Sequence, residues 1–446
     1  MRRRVLVVGF GRTGQAVARV LAARGDRVRA GDRRDAAALG VDPRVLASVE
    51  LHASDGPELL AGVDLVVPSP GVPRTAPVLV DALRRGIPIV SEIELAAREL
   101  GCPIVGITGT NGKSTTTTLV GLALANAGRR TFTGGNLGTP LVTALEGAYD
   151  VCVAEVSSFQ LEWVARFRPR VGCLLNVTDD HLDRHPSFAE YRDTKARLFA
   201  AQTGDDFAVL NRDDPAVAEL APRLAARVTT FGWTPVADGA FVEGDAVVLR
   251  RPGTIDERYD LTRTRLAGRH NVENVLAAVA TARLAGAPPA AVQRAIDEIE
   301  PLPHRLALVA DRGGVRWYDD SKATNVGAAV KSLESFDGPL VLLAGGVDKG
   351  GSYAPLAAAA RSRVRCAVVF GAAREQIATT LEAVGVPVER VATLDAAVGT
   401  AAGRVQPGYT VLLAPACSSF DQFTDYAARG RAFRAAVAAL GEGAGR

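Results

Sequence analysis

Short, unbroken apolar runs alternate with Ala- and Leu-rich stretches of helical periodicity along the whole chain. Residues 5–8, 65–67 and 87–90 read as strands of a first unit. Residues 104–107, 151–156 and 171–176 read as strands of a second, and 340–343, 367–370 and 410–413 as strands of a third. A strand that is apolar at every position wants burial on both faces, which parallel sheets covered by helices provide. The pattern therefore predicts an α/β protein of mostly parallel sheets. Its clusters divide at 1–93, 94–299 and 300–446, with the proline-rich Glu300-Pro301-Leu302-Pro303-His304 suited to a linker. At roughly 150 residues per domain, the length of 446 also suggests about three domains. Residues 188–199 read as an amphipathic helix.

Composition narrows this picture only a little. Hydrophobic residues make up 48%, enough for several cores. The net charge of +3 gives no field that would favour nucleic acid or an anionic membrane. No apolar run approaches the ~18 residues of a spanning helix, and the N-terminus lacks a secretory pattern. The five cysteines (102, 152, 173, 366 and 417) are scattered and read as reduced, mostly core thiols. A cytoplasmic protein is expected. Only five of the 52 basic residues are lysine, at 113, 195, 322, 331 and 349; the other 47 are arginine. Against that background each lysine raises the question of whether a primary amine is needed there.

Chemistry concentrates just after the strands, where open α/β sheets bind ligands. Gly109-Thr110-Asn111-Gly112-Lys113-Ser114-Thr115 follows a strand and precedes a helical stretch. Backbone N–H groups of such a loop can cradle phosphate oxygens, with Lys113 on the β/γ-phosphates and Ser114 on Mg²⁺; ATP is the expected nucleotide. Near the N-terminus, Gly9-Phe10-Gly11-Arg12-Thr13-Gly14 follows a strand and Asp32 ends the next. Taken alone this reads as a NAD site, although a UDP diphosphate fits the same glycine turn. Glu155 ends a strand, and Asp179, Asp180, His181, Asp183 and His185 crowd one loop. Beside a phosphate loop, such oxygen donors suit Mg²⁺.

Taken in order, GTNGKST, Glu155-Val156-Ser157-Ser158-Phe159-Gln160, the run from Asn176 to His185, Gly268-Arg269-His270-Asn271, Pro303-His304-Arg305, Asp320-Ser321-Lys322-Ala323-Thr324-Asn325 and the run from Pro415 to Phe423 resemble the Mur ligase family. This family comprises ATP-dependent amino-acid ligases of peptidoglycan precursor synthesis. The resemblance covers essentially the whole chain, and the last two motifs point to the branch that adds D-glutamate. It implies a Rossmann-like N-terminal domain for a UDP-sugar, a central P-loop ATPase-type domain and a Rossmann-like C-terminal domain for the amino acid. The reaction implied is addition of D-glutamate to UDP-N-acetylmuramoyl-L-alanine through an acyl phosphate, by a monomer.

The same resemblance assigns residues. It gives ATP to Gly109 through Thr115, Asn271, Asn274, Arg305 and Asp320. One Mg²⁺ falls to Ser114 and Glu155, and a second to His181 and Lys195, the lysine being carbamylated by CO₂. An amine can take up CO₂ where a guanidinium, always protonated, cannot. The UDP-substrate falls to Arg12, Thr13, Asp32, Arg33, Arg34, Ser69, Gly71, Asn136 and His181, so the N-terminal glycines go to UDP rather than NAD. D-Glutamate falls to Thr324, Lys349, Ser419 and Tyr426, with Lys322 also at the site. Catalysis rests on Lys113, Glu155, His181, Lys195 and Lys322. Arg12 stands where the family has a small or apolar residue, and Tyr426 where it often has Phe. Lys331 has no role and is expected at the surface. The alternatives are a sibling ligase such as a folylpolyglutamate synthetase, a NAD-dependent oxidoreductase, and a non-catalytic nucleotide-binding protein.

Overall fold

In the computed structural model, which describes residues 2–181, 184–266 and 268–440, the chain builds three sheets. Four parallel strands, Arg4–Val8, Arg27–Gly31, Val49–His52 and Leu65–Pro68, form the first, with Arg4–Val8 between the second and fourth strands. The second has nine strands. Its core is parallel, running from Arg227–Gly232 through Phe207–Asn211, Val171–Leu174, Ile104–Thr108 and Val151–Glu155 to Thr131–Gly135. Beyond Arg227–Gly232 the sheet continues through Gly239–Glu243 into the antiparallel strand Ala246–Arg250 and, at the edge, Glu257–Asp260. The third sheet starts with the antiparallel edge strand Ala307–Arg312 against Val315–Asp319. From there it is parallel through Thr410–Leu413, Leu340–Gly345, Val364–Phe370 and Val388–Arg390.

The described chain groups into two compact units. One holds residues 1–176, 189–262 and 275–297, and so both of the first two sheets; the other holds 177–188, 263–274 and 298–446. The all-apolar strands are buried as their pattern requires: Ile104, Val105, Ile107, Leu342, Leu343, Val411 and Leu412 are all at most 5% exposed. The helix Arg12–Ala23 approaches the first strand so closely that a Cβ on Gly14 would stand 2.1 Å from the Gly9 carbonyl. Only glycine fits there.

Four expectations change. Residues 87–90 form a single bridge, Ile89 to Val66, rather than a strand, because Pro88 has no N–H to give a ladder. The strand expected at 171–176 ends at Leu174, and Asn176 instead turns into the phosphate loop. Residues 188–199 form an α-helix only through Ala196, followed by the 3₁₀ turn Arg197–Phe199. The 300–304 segment is no free linker either: His304 is buried, and its Nδ1 lies 2.7 Å from Asp319 Oδ2.

Candidate functional site

In the first unit, the strand Ile104–Thr108 runs into a loop whose last residue, Gly112, caps the helix Lys113–Asn126. Asn176 shapes this loop from the neighbouring strand end. Its Oδ1 accepts from the Asn111 N–H at 2.8 Å, and its Nδ2 donates to the Asn111 carbonyl at 3.1 Å. Lys113 folds over the loop and donates to the carbonyls of Gly109 (2.9 Å) and Thr110 (2.7 Å). Lys195, far from being a surface lysine, is 1% exposed. It donates to the same Gly109 carbonyl at 2.8 Å and lies 4.4 Å from the centre of the Tyr191 ring.

Glu155 ends the strand beside Ile104–Thr108 and is buried. Its Oε1 accepts from Asn136 Nδ2 at 2.7 Å, whereas its Oε2 is buried without a hydrogen-bond partner. An unsatisfied buried carboxylate oxygen is costly; next to a phosphate loop with a buried Ser114 it is the donor that a hard cation takes. Among the described residues no group of three or more His, Cys, Asp or Glu side chains is assembled for a metal.

A cavity of about 730 Å³ opens over the N-terminal glycine turn. Arg12, Thr13, Asp32, Arg33, Arg34, Ser69, Gly71 and Asn136 all line it. Asp32 anchors the turn by accepting from the Phe10 N–H at 2.8 Å, and it holds Arg34 through Nε at 3.0 Å. Burial would raise its pKa, but the Arg34 guanidinium and the two backbone N–H groups outweigh that and hold it down at about 2. Asn136 belongs both to this cavity and to Glu155, so one amide links the expected acceptor and metal positions. Beneath the cavity, Gln160 meets Glu92, which is wholly buried and whose carboxyl burial pushes up to about 7.

In the second unit, Lys349 donates to Asp180 Oδ1 at 3.2 Å and meets Thr324 Oγ1 at 3.5 Å. Asn325 Nδ2 donates to the other Asp180 oxygen at 2.8 Å. Burial alone would raise the Asp180 pKa; Lys349 and the neighbouring donors prevail and lower it. Lys322 stacks its ammonium 3.9 Å from the centre of the Tyr426 ring, and Ser419 is buried on the loop after Thr410–Leu413. His181, in a left-handed conformation (φ 56°), lies beside Asp180, its Nε2 3.7 Å from Oδ2. Asp183 falls outside the described residues.

Asn271 accepts from Asn274 at 3.1 Å near the start of the helix Arg269–Leu284. Asp320 is buried, holds Ser332 Oγ and the Leu306 N–H, and has its pKa pushed up to about 6 by burial. Arg305 is half-buried and acts electrostatically on Asp320 and on His270, whose ring burial keeps neutral near a pKa of about 4. Lys331, expected to be silent at the surface, is half-buried and ion-paired with Glu273 at 2.6 Å. Pattern reading missed Glu92, Arg429 and the Asp180 link to Lys349. Of these, only Asp180 lay in a loop already marked by its charges.

A glycine-turn cavity, a phosphate loop with two lysines on one carbonyl, and cation-bearing loops at the ends of a third sheet are the parts of a nucleotide-dependent ligase. Residues 3–91 match the MurD-like N-terminal domain of Mur ligases, 107–282 the Mur ligase middle domain, and 304–417 the Mur ligase glutamate ligase domain. The chain belongs to the Mur ligase family. It is 48% identical to the UDP-N-acetylmuramoylalanine--D-glutamate ligase of Geobacter metallireducens, with 99% of this chain and 98% of that protein aligned. It is 46% identical to the protein of the same name from Geotalea daltonii, again over 99% and 98%. Among solved structures, the UDP-N-acetylmuramate-alanine ligase MurC of Thermotoga maritima matches with a TM-score of 0.63 at 20% identity, over 98% of this chain and 99% of that one. A pseudomurein peptide ligase type C from Methanothermus fervidus matches at 0.65 and 17%, over 98% and 100%. These two likenesses establish the fold.

Proposed function

We propose that this protein joins D-glutamate to UDP-N-acetylmuramoyl-L-alanine, using ATP and releasing ADP and phosphate, in the cytoplasm. The observation that carries the reading is the near-half identity, over almost the full length, to ligases named for that reaction. Three domains, at 1–93, 94–299 and 300–446, divide the work. The glycine-turn cavity takes the UDP-sugar, with its diphosphate at the start of the helix Arg12–Ala23 and Asp32 to Arg34 beside the uracil. The phosphate loop takes ATP, and Lys113 turns from the Gly109 and Thr110 carbonyls to the phosphates. Asn271 and Asn274 read the adenine, and Arg305 and Asp320 lie by the nucleotide. Lys322, Thr324, Lys349, Ser419 and Tyr426 orient D-glutamate, whose carboxylates suit ammonium and hydroxyl donors.

The terminal carboxylate of the acceptor attacks the γ-phosphorus of ATP and ADP leaves, giving an acyl phosphate. The amine of D-glutamate then attacks the acyl carbon, and phosphate leaves. Carboxylate and polyphosphate repel each other, so the chain's task is neutralisation and alignment. Lys113 neutralises from the phosphate loop, and Asn136 holds Glu155 in place. Mg²⁺, held by Ser114 and Glu155 and, for a second ion, by His181 and carbamylated Lys195, would spread the phosphate charge when bound. The orphaned Glu155 Oε2 supports the first of these assignments.

Phosphate release measured with purified protein tests the reading. It should require ATP, Mg²⁺, UDP-N-acetylmuramoyl-L-alanine and D-glutamate together. Release with L-glutamate and a folate, or no release with any acceptor, overturns it.

A further inference from the structure

Arg429 is the largest fully buried side chain of the molecule's described part, with 0% exposure. It lies on the helix Tyr426–Ala439, whose buried stripe Arg429, Gly430, Phe433 and Val437 packs on the third sheet. A guanidinium carries five N–H donors, and here they make five hydrogen bonds. Nε donates to Ser321 Oγ at 3.0 Å and Nη2 to the Ser321 carbonyl at 2.9 Å. Nη2 also reaches the Cys417 carbonyl at 3.1 Å, and Nη1 donates to the Gly345 and Ser418 carbonyls, both at 3.3 Å.

These acceptors come from the ends of three adjacent parallel strands, Val315–Asp319, Thr410–Leu413 and Leu340–Gly345. The loops that leave them carry Lys322 and Thr324, Ser419, and Lys349. Ser321 Oγ donates in turn to the Tyr426 carbonyl at 2.8 Å, tying in the residue whose ring lies against Lys322. No carboxylate among the described residues lies within ion-pairing distance of Arg429, so its acceptors are neutral. A buried cation without an ion-paired carboxylate is expensive; Asp421 and Asp319 act on it only from beyond that distance, and burial still pulls its pKa down to about 10, which leaves it charged at neutral pH. A fold has no packing reason to retain a charge there when an apolar side chain of similar volume would fill the space at lower cost. What an apolar residue cannot do is hold three loop ends by their carbonyls in one plane.

We propose that Arg429 is a positioning residue for the amino-acid site: without touching the substrate, it sets the spacing of the three loops that carry Lys322, Thr324, Lys349 and Ser419. The identity of that substrate rests on the function proposed above. Lysine keeps the charge but concentrates its donors on one atom, so it cannot reproduce the planar fork.

Arg429→Lys and Arg429→Met are to be compared with the parent protein by steady-state kinetics in all three substrates. The expected result is a rise of about 10²-fold in KM for D-glutamate, with kcat at saturating D-glutamate and the KM values for ATP and the UDP-sugar close to the parent's. A lower kcat or melting temperature with KM for D-glutamate unchanged marks a purely structural residue and overturns the proposal. Hydrogen exchange of residues 320–325, 345–350 and 416–423 gives a readout independent of the substrate's identity. Faster exchange in all three loops is expected, and parental protection there overturns the clamp even if the amino acid proves to be another. Parent protein that ignores D-glutamate refutes the function and leaves the exchange result standing. If neither variant folds, Ser321→Ala, which removes the Nε acceptor together with the Ser321 bond to the Tyr426 carbonyl and keeps the other four Arg429 bonds, is read by the same two measurements.

Discussion

Lys113 and Lys195, 82 positions apart in sequence, donate to one acceptor, the carbonyl oxygen of Gly109, at 2.9 and 2.8 Å. Two ammonium groups on a single carbonyl repel each other, and converting one into an anion would turn repulsion into attraction. Carbamylation of Lys195 would do so. Lys195→Arg, which preserves net charge, is therefore expected to lower turnover by about 10²-fold or more. The parent should give a carbamate carbonyl signal in ¹³C NMR with labelled bicarbonate, and the variant should lack it. Near-normal phosphate release by this variant, or parent protein with no such signal, refutes the carbamate.

The amide of Asn136 faces the glycine-turn cavity while its Nδ2 holds Glu155 Oε1. Residues that orient a metal ligand typically contribute about 10–100-fold in metal affinity. Asn136→Ala should raise the Mg²⁺ concentration for half-maximal rate by about that factor and also weaken the UDP-sugar. Titrating Mg²⁺ at fixed ATP checks it; a change in one ligand alone would break the proposed link.

Glu92 separates this protein's stability from ordinary acid behaviour. Its carboxyl rises from the ordinary 4.5 to about 7 in the folded chain, mainly through burial. The folded state thus holds the proton to higher pH than the unfolded one. The stability this contributes is full below pH 4.5 and is lost as pH rises through 7, by about 3 kcal/mol in all. Glu92→Gln should remove that decline, so the variant gains on the parent between pH 5 and 8. Urea denaturation across this range tests the sign; parallel curves would show that the carboxyl is ionised in both states.

Two ligands, a UDP-sugar and NAD, suit the cavity over Gly9 to Gly14 by the same physics, and heating tells them apart. UDP-N-acetylmuramoyl-L-alanine at 100 times its Kd should stabilise the protein by about 2.7 kcal/mol, and NAD should leave the melting temperature unchanged. Protection by NAD would return the N-terminal domain to the oxidoreductase reading.

Fold class was legible because parallel strands buried on both faces announce themselves as apolar runs. Ile104–Thr108, Leu340–Gly345 and Thr410–Leu413 were found this way. The antiparallel edge strand Glu257–Asp260 was missed, since an antiparallel edge mixes polar with apolar positions and lacks that signature. Candidate residues in glycine-punctuated loops could be named one by one. Arg429 could not: nothing local sets it apart from 46 other arginines, and its role depends on carbonyls some 84 and 108 residues away. Glu92 was hidden for the same reason, as its hydrogen-bond donors, the Val142 N–H and Gln160 Nε2, lie 50 and 68 residues away.

The central place of Thr410–Leu413 in the third sheet bears on how this protein comes to be folded. The strand pairs with Val315–Asp319 on one side and Leu340–Gly345 on the other. Both of its ladders therefore wait on closing a long stretch of chain, and such distant pairings are slow to form. Until that strand inserts, its two neighbours have no direct partner in each other, and the loops they carry have no common frame. The amino-acid site proposed on these loops should consequently gain affinity in a single late step of refolding, together with the sheet, rather than ripen gradually through weaker forms.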